Sequence, residues 1–198
     1  MRKLVVLIVL LGLFAIPLMA QDTPKAEVFG GYQYLHTGTI HVSGVGDIPD
    51  SSQSFNGWDA NATYYFNKNI GVQGDFSGSY ATFDFFDLGN ASSHVYTYTG
   101  GPVVALNAGG KVNPFVHALF GGIRLSSSQS GLSVSLNGFT TMVGGGVDVK
   151  VAPRIAFRLI QADWVYFHFG STTIAGTSFP SLSGSKNVRI ATGIVFRF

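Results

Sequence analysis

The stretch Lys186-Asn-Val-Arg-Ile-Ala-Thr-Gly-Ile-Val-Phe-Arg-Phe198 alternates between two kinds of side chain along its whole length. Its even-numbered residues are mostly apolar, and its odd-numbered residues are polar or mostly small. A period of two residues predicts a β-strand whose two faces lie in different environments. The thirteen residues are many for a strand of a soluble domain, but they suit a tilted strand that crosses a bilayer, which needs about 9–11 residues.

The amino-terminal residues predict export from the cytoplasm. Arg2 and Lys3 precede an apolar run, and small Ala20 stands before a polar segment. Positive, apolar and small-residue regions in this order are typical of a secretory signal peptide. A membrane anchor is not favoured, because the run is shorter than the roughly 18 residues that a spanning helix requires. We therefore expect a signal peptide at residues 1–20 and one domain at residues 21–198.

The composition excludes several classes of protein. The chain has 12 Lys and Arg against 10 Asp and Glu, and removal of Arg2 and Lys3 with the signal peptide would leave ten of each. A formally neutral chain does not favour nucleic acid as a partner. The absence of cysteine excludes disulfides and thiolate metal sites. With 26 glycines and only 11% charged residues, an exported chain of this kind is typical of a membrane β-barrel.

Alternating segments continue throughout the exported part, and the connections between them are long and short in turn. The predicted strands span residues 26–36, 55–66, 70–82, 94–106, 114–125, 138–151, 155–169 and 186–198. Outer-membrane barrels have an even number of strands, long external loops and short periplasmic turns. The pattern therefore predicts an all-β protein, an eight-stranded antiparallel up-and-down transmembrane β-barrel with both termini in the periplasm. A soluble lipocalin-like barrel is less favoured, because it would turn apolar residues inward around a ligand.

One face of the predicted strands carries ionisable residues, which a narrow barrel must hold inside. An eight-stranded barrel is just wide enough for its own side chains to fill it, and buried carboxylates need cations or hydrogen bonds. We therefore predict an interior salt-bridge network that closes the barrel, in preference to a catalytic or ion-conducting set. Its members are Glu27, Asp59, Asp75, Asp148, Lys150, Arg158, Asp163 and Arg189.

Hairpin geometry predicts partners within this network. Asp148 and Arg158 are equally far from the turn between their strands, so they should face each other. Asp59 and Asp75 lie nearly opposite across another hairpin and need a shared cation. We assign Arg189 to that role.

The predicted strand at residues 155–169 breaks the alternation. Arg158 and Ile160 share one face, whereas Gln161 and Asp163 fall on the other face, which contacts lipid. An acidic side chain in hydrocarbon is destabilising by a few kcal/mol near the midplane. We therefore predict a β-bulge near Ile160 or Gln161 that turns Asp163 inward.

Four further stretches are informative: Gly57-Trp58, Asn67-Lys-Asn-Ile-Gly-Val-Gln-Gly-Asp-Phe76, Gly144-Gly-Gly-Val-Asp-Val149 and Arg158-Leu-Ile-Gln-Ala-Asp163. They resemble the OmpA-like family of small eight-stranded outer-membrane barrels. The resemblance implies the outer membrane of a Gram-negative-type bacterium, but no activity, since the family includes adhesion, surface-protection and envelope-integrity proteins without a shared catalytic set. The resemblance does not include the peptidoglycan-binding domain of OmpA itself, so we do not expect cell-wall anchoring.

The closing strand adds to this resemblance. Phe196 and Phe198 resemble the carboxy-terminal aromatic signal of outer-membrane barrels. The resemblance implies the barrel-assembly machinery as a partner through the last strand, with outer-membrane lipid around the folded barrel.

Histidine and serine residues raise two alternatives. Clustered histidines bind transition metals, but no acidic residue is spaced to complete a site, so we expect neither a metal site nor a cofactor. The histidines at external strand ends or in the first loop are His36, His41, His94 and His168. His168 and Ser171 suggest a membrane lipase, but no nucleophile elbow and no acidic third member accompany them.

We therefore predict a non-enzymatic outer-membrane barrel with a structural or surface-interaction role at its external loops. A narrow pore for small solutes is the first alternative, and a lipid-modifying barrel enzyme is the second. The loops are rich in Ser, Gly and Thr and carry little charge. They leave the extracellular ligand unidentified.

Overall fold

A computed structural model of the protein describes residues 24–48, 52–85, 89–129, 132–174 and 177–198. The predicted signal peptide lies outside these residues. The strands are β1 (Ala26–Thr37), β2 (Ile40–Val42), β3 (Gly46–Ile48), β4 (Gln53–Tyr65), β5 (Ile70–Phe85), β6 (Gly89–Ala105), β7 (Val112–Gln129), β8 (Leu132–Ala152), β9 (Ile155–Phe169), β10 (Thr172–Ile174), β11 (Thr177–Phe179) and β12 (Leu182–Arg197). In the part of the chain that the structure describes, no helix is long and apolar enough to cross a membrane.

Eight long antiparallel strands close into a barrel in the order β1-β4-β5-β6-β7-β8-β9-β12. The last of them pairs with the first, from Glu27 opposite Arg197 to His36 opposite Val188. Closure pairs both edges of the sheet, so the barrel wall has no free edge. The predicted fold class is confirmed.

The two ends of the barrel differ. The turn end carries the short connections 66–69, 106–111 and 153–154 together with the first and last described residues. The loop end carries two small hairpins. One joins β2 to β3 and extends the wall, since Val42 pairs with Leu182 of β12. The other joins β10 to β11.

Two connections that the sequence predicts to be long are short. Residues 83–85 and 89–92 continue the ladder between β5 and β6, and residues 126–129 and 132–137 continue it between β7 and β8. The prediction is wrong there because ladder pairing depends on the backbone and does not require apolar side chains. Cross-strand serine contacts add to it, as between Ser126 Oγ and Ser135 Oγ at 3.0 Å.

The outer surface of the barrel is apolar. Outward positions carry large hydrophobic side chains, whereas inward positions of the same strands are buried. Exposed aromatic residues lie at both ends, as in the aromatic girdles of transmembrane barrels. At the turn end they are Tyr64, Phe66, Phe196 and Phe198, and towards the loop end they include Tyr80 and Phe139.

A β-bulge in β9 changes which side chains of that strand point into the barrel. Val147 pairs with Ile160 and the next residue, Asp148, pairs with Arg158, so Leu159 is an extra residue in β9. Leu159 and Ile160 both point outward, with 55% and 48% of their surfaces exposed. The bulge predicted near Ile160 or Gln161 is confirmed.

The bulge brings three polar side chains to the same face. Arg158, Gln161 and Asp163 are all buried in the barrel interior. The hydroxyl of Thr192 on β12 donates a hydrogen bond of 2.8 Å to the carbonyl oxygen of Arg158, where the ladder is interrupted. The local irregularity therefore keeps the acidic side chain of Asp163 away from the apolar outer face of the barrel.

Deletion of Leu159 should be tolerated, because it removes the extra residue and restores regular alternation between Arg158 and Gln161. Deletion of Ala162 is the matched control and should turn Asp163 towards lipid. The measurement is electrophoretic mobility in detergent with and without boiling, since a closed barrel resists detergent until it is heated. We expect the first variant to keep its heat-dependent shift and the second to lose it. If the Leu159 deletion lost the heat-dependent shift and the Ala162 deletion kept it, the bulge would not be what turns Asp163 inward.

Candidate functional site

The barrel interior is divided into three levels along its axis. Ionisable side chains fill the level at the turn end and the central level. The level at the loop end is lined by apolar side chains. The candidate site is this interior, because most of the ionisable residues that the sequence singles out point into it.

Arg189 on β12 is the hub of the central level and is 1% exposed. Its Nη1 lies 2.9 Å from Asp75 Oδ1 and its Nη2 lies 2.7 Å from Asp163 Oδ2. Asp59 Oδ2 is 3.9 Å from Nη1, close enough for an ion pair. Asp59 and Asp75 are the two carboxylates that were predicted to share Arg189, and Asp163 is a third partner. Because Asp75 belongs to β5 and Asp163 to β9, the guanidinium joins opposite parts of the barrel wall.

Asp163 also receives a histidine and an amide. His117 Nε2 lies 2.8 Å from Asp163 Oδ1, and its Nδ1 lies 3.2 Å from Gln73 Oε1. Gln161 Nε2 donates to Asp163 Oδ2 at 2.8 Å. His117 is not among the predicted members of the network. Its place on the inward face of β7, which it shares with Leu119, is the signal that could have identified it.

A glycine makes room for this cluster. Gly144 on β8 pairs with Asp163 on β9. A Cβ atom at Gly144 would lie 2.2 Å from Asp163 Oδ1 and 2.2 Å from the carbonyl oxygen of Ala162. Only glycine allows the carboxylate to lie this close to the neighbouring strand.

Arg158 is the hub of the turn-end level. Its guanidinium lies between the rings of Phe29 and Phe115, 4.3 Å from each centroid. Nε and Nη2 donate to the two carboxylate oxygens of Asp148 at 2.8 and 3.2 Å, and Nη1 donates to Gln161 Oε1 at 2.6 Å. The carboxylate, the amide and the two ring faces together replace water around the buried cation. The hairpin pairing of Asp148 with Arg158 is present.

Glu27 is paired with Arg197, which the sequence pattern did not predict as a member of the network. Arg197 Nε lies 2.9 Å from Glu27 Oε1, and Arg197 Nη2 lies 3.8 Å from Asp148 Oδ2. Tyr65 donates a hydrogen bond of 3.2 Å to Glu27 Oε2. The alternation of the last strand does place Arg197 on the inward face. That Arg197 lies opposite Glu27, however, depends on the pairing of β12 with β1, which exists only in the closed barrel.

Lys150 does not join the network as predicted. It is only partly buried, and no ion pair connects it to any residue within the described ranges. The physical reason is its position, since it lies near the open turn end, two residues from the end of β8. Arg197 occupies the corresponding place beside Asp148.

The histidines at the loop end remain separate. Those that the sequence singled out are all exposed: His36, His41, His94 and His168. Among the described residues, no three His, Cys, Asp or Glu side chains come together as a metal site would require. His41 Nδ1 does lie 2.8 Å from Asp47 Oδ1 across the β2–β3 hairpin, an acidic neighbour that the sequence analysis did not foresee. No hydrogen bond joins Ser171 to His168 in the described part of the chain.

The loop-end level of the interior is apolar, which corrects the prediction of a polar interior throughout. Its buried members are Leu35, Phe55, Val95, Leu119, Ile123, Met142, Val165, Phe167 and Phe169. A cavity of about 210 Å³ lies among them. Apolar residues that point inward were expected only in a soluble barrel and were therefore not predicted here. Near the loop end, however, both faces of several strands are apolar, so alternation does not reveal which face is inside.

Replacement of Arg189 by Met should destabilise the barrel by about 3–5 kcal/mol, because it leaves buried carboxylates without their cation. The measurement is the free energy of unfolding from urea titrations of the refolded protein, followed by tryptophan fluorescence. The exposed Arg124, changed to Met, is the matched control and should alter the free energy by no more than about 0.5 kcal/mol. Adding Asp163→Asn to Arg189→Met should recover part of the loss. Equal urea midpoints for the two single variants would contradict the central role of Arg189.

Comparisons with known proteins agree with this architecture. The model of the family described as "Outer membrane protein beta-barrel domain" matches residues 6–198. No curated protein matches the chain. Ail, the attachment invasion locus protein of Yersinia pestis, is similar in structure, with 20% identity, coverage of 87% of this chain and 99% of that chain, and a TM-score of 0.50.

Two further solved structures are similar. Neisserial surface protein A shares 16% identity over 86% of this chain and 97% of its own, with a TM-score of 0.54. OprG of Pseudomonas aeruginosa shares 10% identity over 90% of this chain and 99% of its own, with a TM-score of 0.54. At these identities the likeness shows the fold alone. Together with the family match, the closed barrel shows that the chain belongs to the outer membrane protein β-barrel domain family and lies in the outer membrane of a Gram-negative bacterium.

Proposed function

We propose that the protein is a closed, non-conducting outer-membrane barrel with a structural or surface-interaction role at its loop end. The observation that carries this proposal is the position of Arg189, which binds Asp75 and Asp163 from different parts of the wall. A guanidinium held in this way occupies the centre of a barrel that is already narrow.

The energetics of these ion pairs favour a permanent barrier. Separation of a buried pair leaves an uncompensated charge, at a cost of about 3–5 kcal/mol. A second barrier lies below the first, where Arg158 is held between Phe29 and Phe115. An ion that crosses the barrel would have to displace both guanidinium groups.

The loop end is the proposed surface for interaction. With the turn end in the periplasm, as in other outer-membrane barrels, β7 and β8 extend outward as a hairpin. Serine hydroxyls line this hairpin, with Ser126 Oγ 3.0 Å from Ser135 Oγ across β7 and β8. Such a surface offers hydrogen bonds with little net charge. Ail, similar in fold, is named as an attachment invasion locus protein.

The outer surface and the last strand indicate two further partners, the membrane lipid and the barrel-assembly machinery. The apolar outer face is proposed to contact outer-membrane lipid, with its aromatic residues at the two interfaces. Phe196 and Phe198, both exposed at the end of β12, are proposed as the signal that the barrel-assembly machinery reads. Residues 1–20 are proposed to be removed as a signal peptide.

Conductance in planar bilayers tests the closed-barrel proposal. We expect the wild-type protein to conduct far less than an open porin measured in the same bilayer. Asp148→Ala should conduct little more, because the Arg189 ion pairs and the rings around Arg158 remain. Conductance of Asp148→Ala at the level of the open porin would reject the closed barrel in favour of a pore. Heat-dependent gel mobility confirms that each sample is folded before it is measured.

We also propose that the protein is not an enzyme. Replacement of Ser171 by Ala should leave the lipid profile of the membrane unchanged, because the nearby His168 forms no hydrogen bond with the serine in the described part of the chain. The measurement is mass spectrometry of lipids from cells that produce either form. A changed profile in the Ser171→Ala cells alone would support the lipid-modifying alternative.

A further inference from the structure

The cavity at the loop-end level is not used by the ion-pair network or by the proposed surface role. Its volume is about 210 Å³. An apolar cavity of roughly 150 Å³ stays dry and is large enough to bind benzene. The cavity therefore has room for a molecule of one or two aromatic rings.

The exposed surface of the cavity walls is mostly apolar, although Thr37, Gln53, Ser77, Ser93 and Thr97 also line the cavity. The apolar members include Leu35, Val95, Ile123, Met142 and Val165, all of them buried. Aromatic side chains complete the lining, and the rings of Phe167 and Phe169 lie 5.6 Å apart in a tilted arrangement. Water in such a space finds few hydrogen-bond partners, whereas an aromatic molecule gains contact with the ring edges and methyl groups.

Gln33 lines this cavity and carries a buried oxygen atom without a hydrogen-bond partner in the described part of the chain. It is 1% exposed, and its Nε2 donates to Ser79 Oγ at 2.7 Å. Its Oε1 accepts no hydrogen bond from any described residue. A buried acceptor without a partner is destabilising by about 1–3 kcal/mol. Since Gln33 lines the cavity, a bound molecule whose N–H or O–H group reaches this buried oxygen can supply the missing donor.

The charge beneath the cavity determines which molecules are excluded. Arg189, which also lines it, is surrounded by the carboxylates of Asp59, Asp75 and Asp163. Because this guanidinium is already paired with carboxylates, an anionic ligand would gain no free cation from it and would lose its hydration among the apolar walls. A cationic ligand would find no unpaired anion among the apolar walls and would lose its hydration.

We propose that the loop-end cavity is a binding site for a small neutral aromatic molecule of one or two rings with a single hydrogen-bond donor, which Gln33 accepts. This site goes beyond the proposed surface role and does not depend on whether the barrel conducts. The bound molecule lies on the outer side of the Arg189 ion pairs, which form the floor of the site.

Met142 provides a direct probe of occupancy. It is 1% exposed, lines the cavity, and is the one methionine outside the first twenty residues. The protein is labelled with ¹³C at the methionine methyl groups, and the Met142 resonance is assigned by its loss in Met142→Leu. The folded protein in detergent is then titrated with 2-naphthol, with naphthalene and with 2-naphthoate.

We expect 2-naphthol to shift the Met142 resonance in a saturable manner. Gln33→Leu should weaken 2-naphthol binding by about tenfold, the value of one hydrogen bond, and should leave naphthalene binding unchanged within about twofold. 2-Naphthoate should give no saturable shift. Equal weakening of 2-naphthol and naphthalene by Gln33→Leu would overturn the hydrogen bond to Gln33.

Two cavity-filling variants test the site itself. Val95→Phe and Leu125→Phe place a ring in the space, and each folded variant should lose the saturable shift. Val143→Phe adds the same ring on the outer face, where Val143 is 49% exposed, and should bind as the wild type does. A shift that rises linearly with 2-naphthol concentration, or that survives in both filling variants, reflects partition into detergent and would overturn the proposal. Folding of each variant is checked by heat-dependent gel mobility.

Discussion

The ion pairs of Arg189 are the interaction on which the rest of the interior depends. A guanidinium with 1% exposure is stable inside a protein only where charged or hydrogen-bonding partners replace its water. Asp75 and Asp163 meet this requirement from β5 and β9, so the charge and the shape of the barrel are coupled. The wall positions the acids, and the shared cation holds distant strands at a fixed separation.

The bulge in β9 follows from the same constraint. Asp163 can reach Arg189 only if the strand changes its facing once between Arg158 and Gln161. The extra residue, Leu159, makes that change and points its own apolar side chain outward. One residue in the ladder thus keeps a carboxylate out of lipid and completes the central network. Gly144 on the neighbouring strand leaves space for that carboxylate.

The central network also separates two unlike halves of the interior. Towards the turn end, Arg158 and Arg197 are paired with Asp148 and Glu27. Towards the loop end, apolar side chains surround a cavity whose floor includes Arg189. A closed floor beneath an apolar chamber suits retention of a small molecule better than its passage. The chamber opens on the side that also carries the serine-rich strand extensions.

The sequence by itself determined the barrel, its strand number and the inward face of most strands, because a period of two residues is a local property of the chain. It also determined the bulge, since an acid on the lipid side is unfavourable wherever the strand lies. Only the tertiary structure decided which residues meet across the interior. The pairing of His117 with Asp163 and of Arg197 with Glu27, the exclusion of Lys150 and the apolar chamber all depend on the register of strands distant in sequence. Alternation shows that a residue points inward. Two inward side chains meet, however, only if they lie at the same level along the barrel axis, and that level is set by the register of the closed sheet.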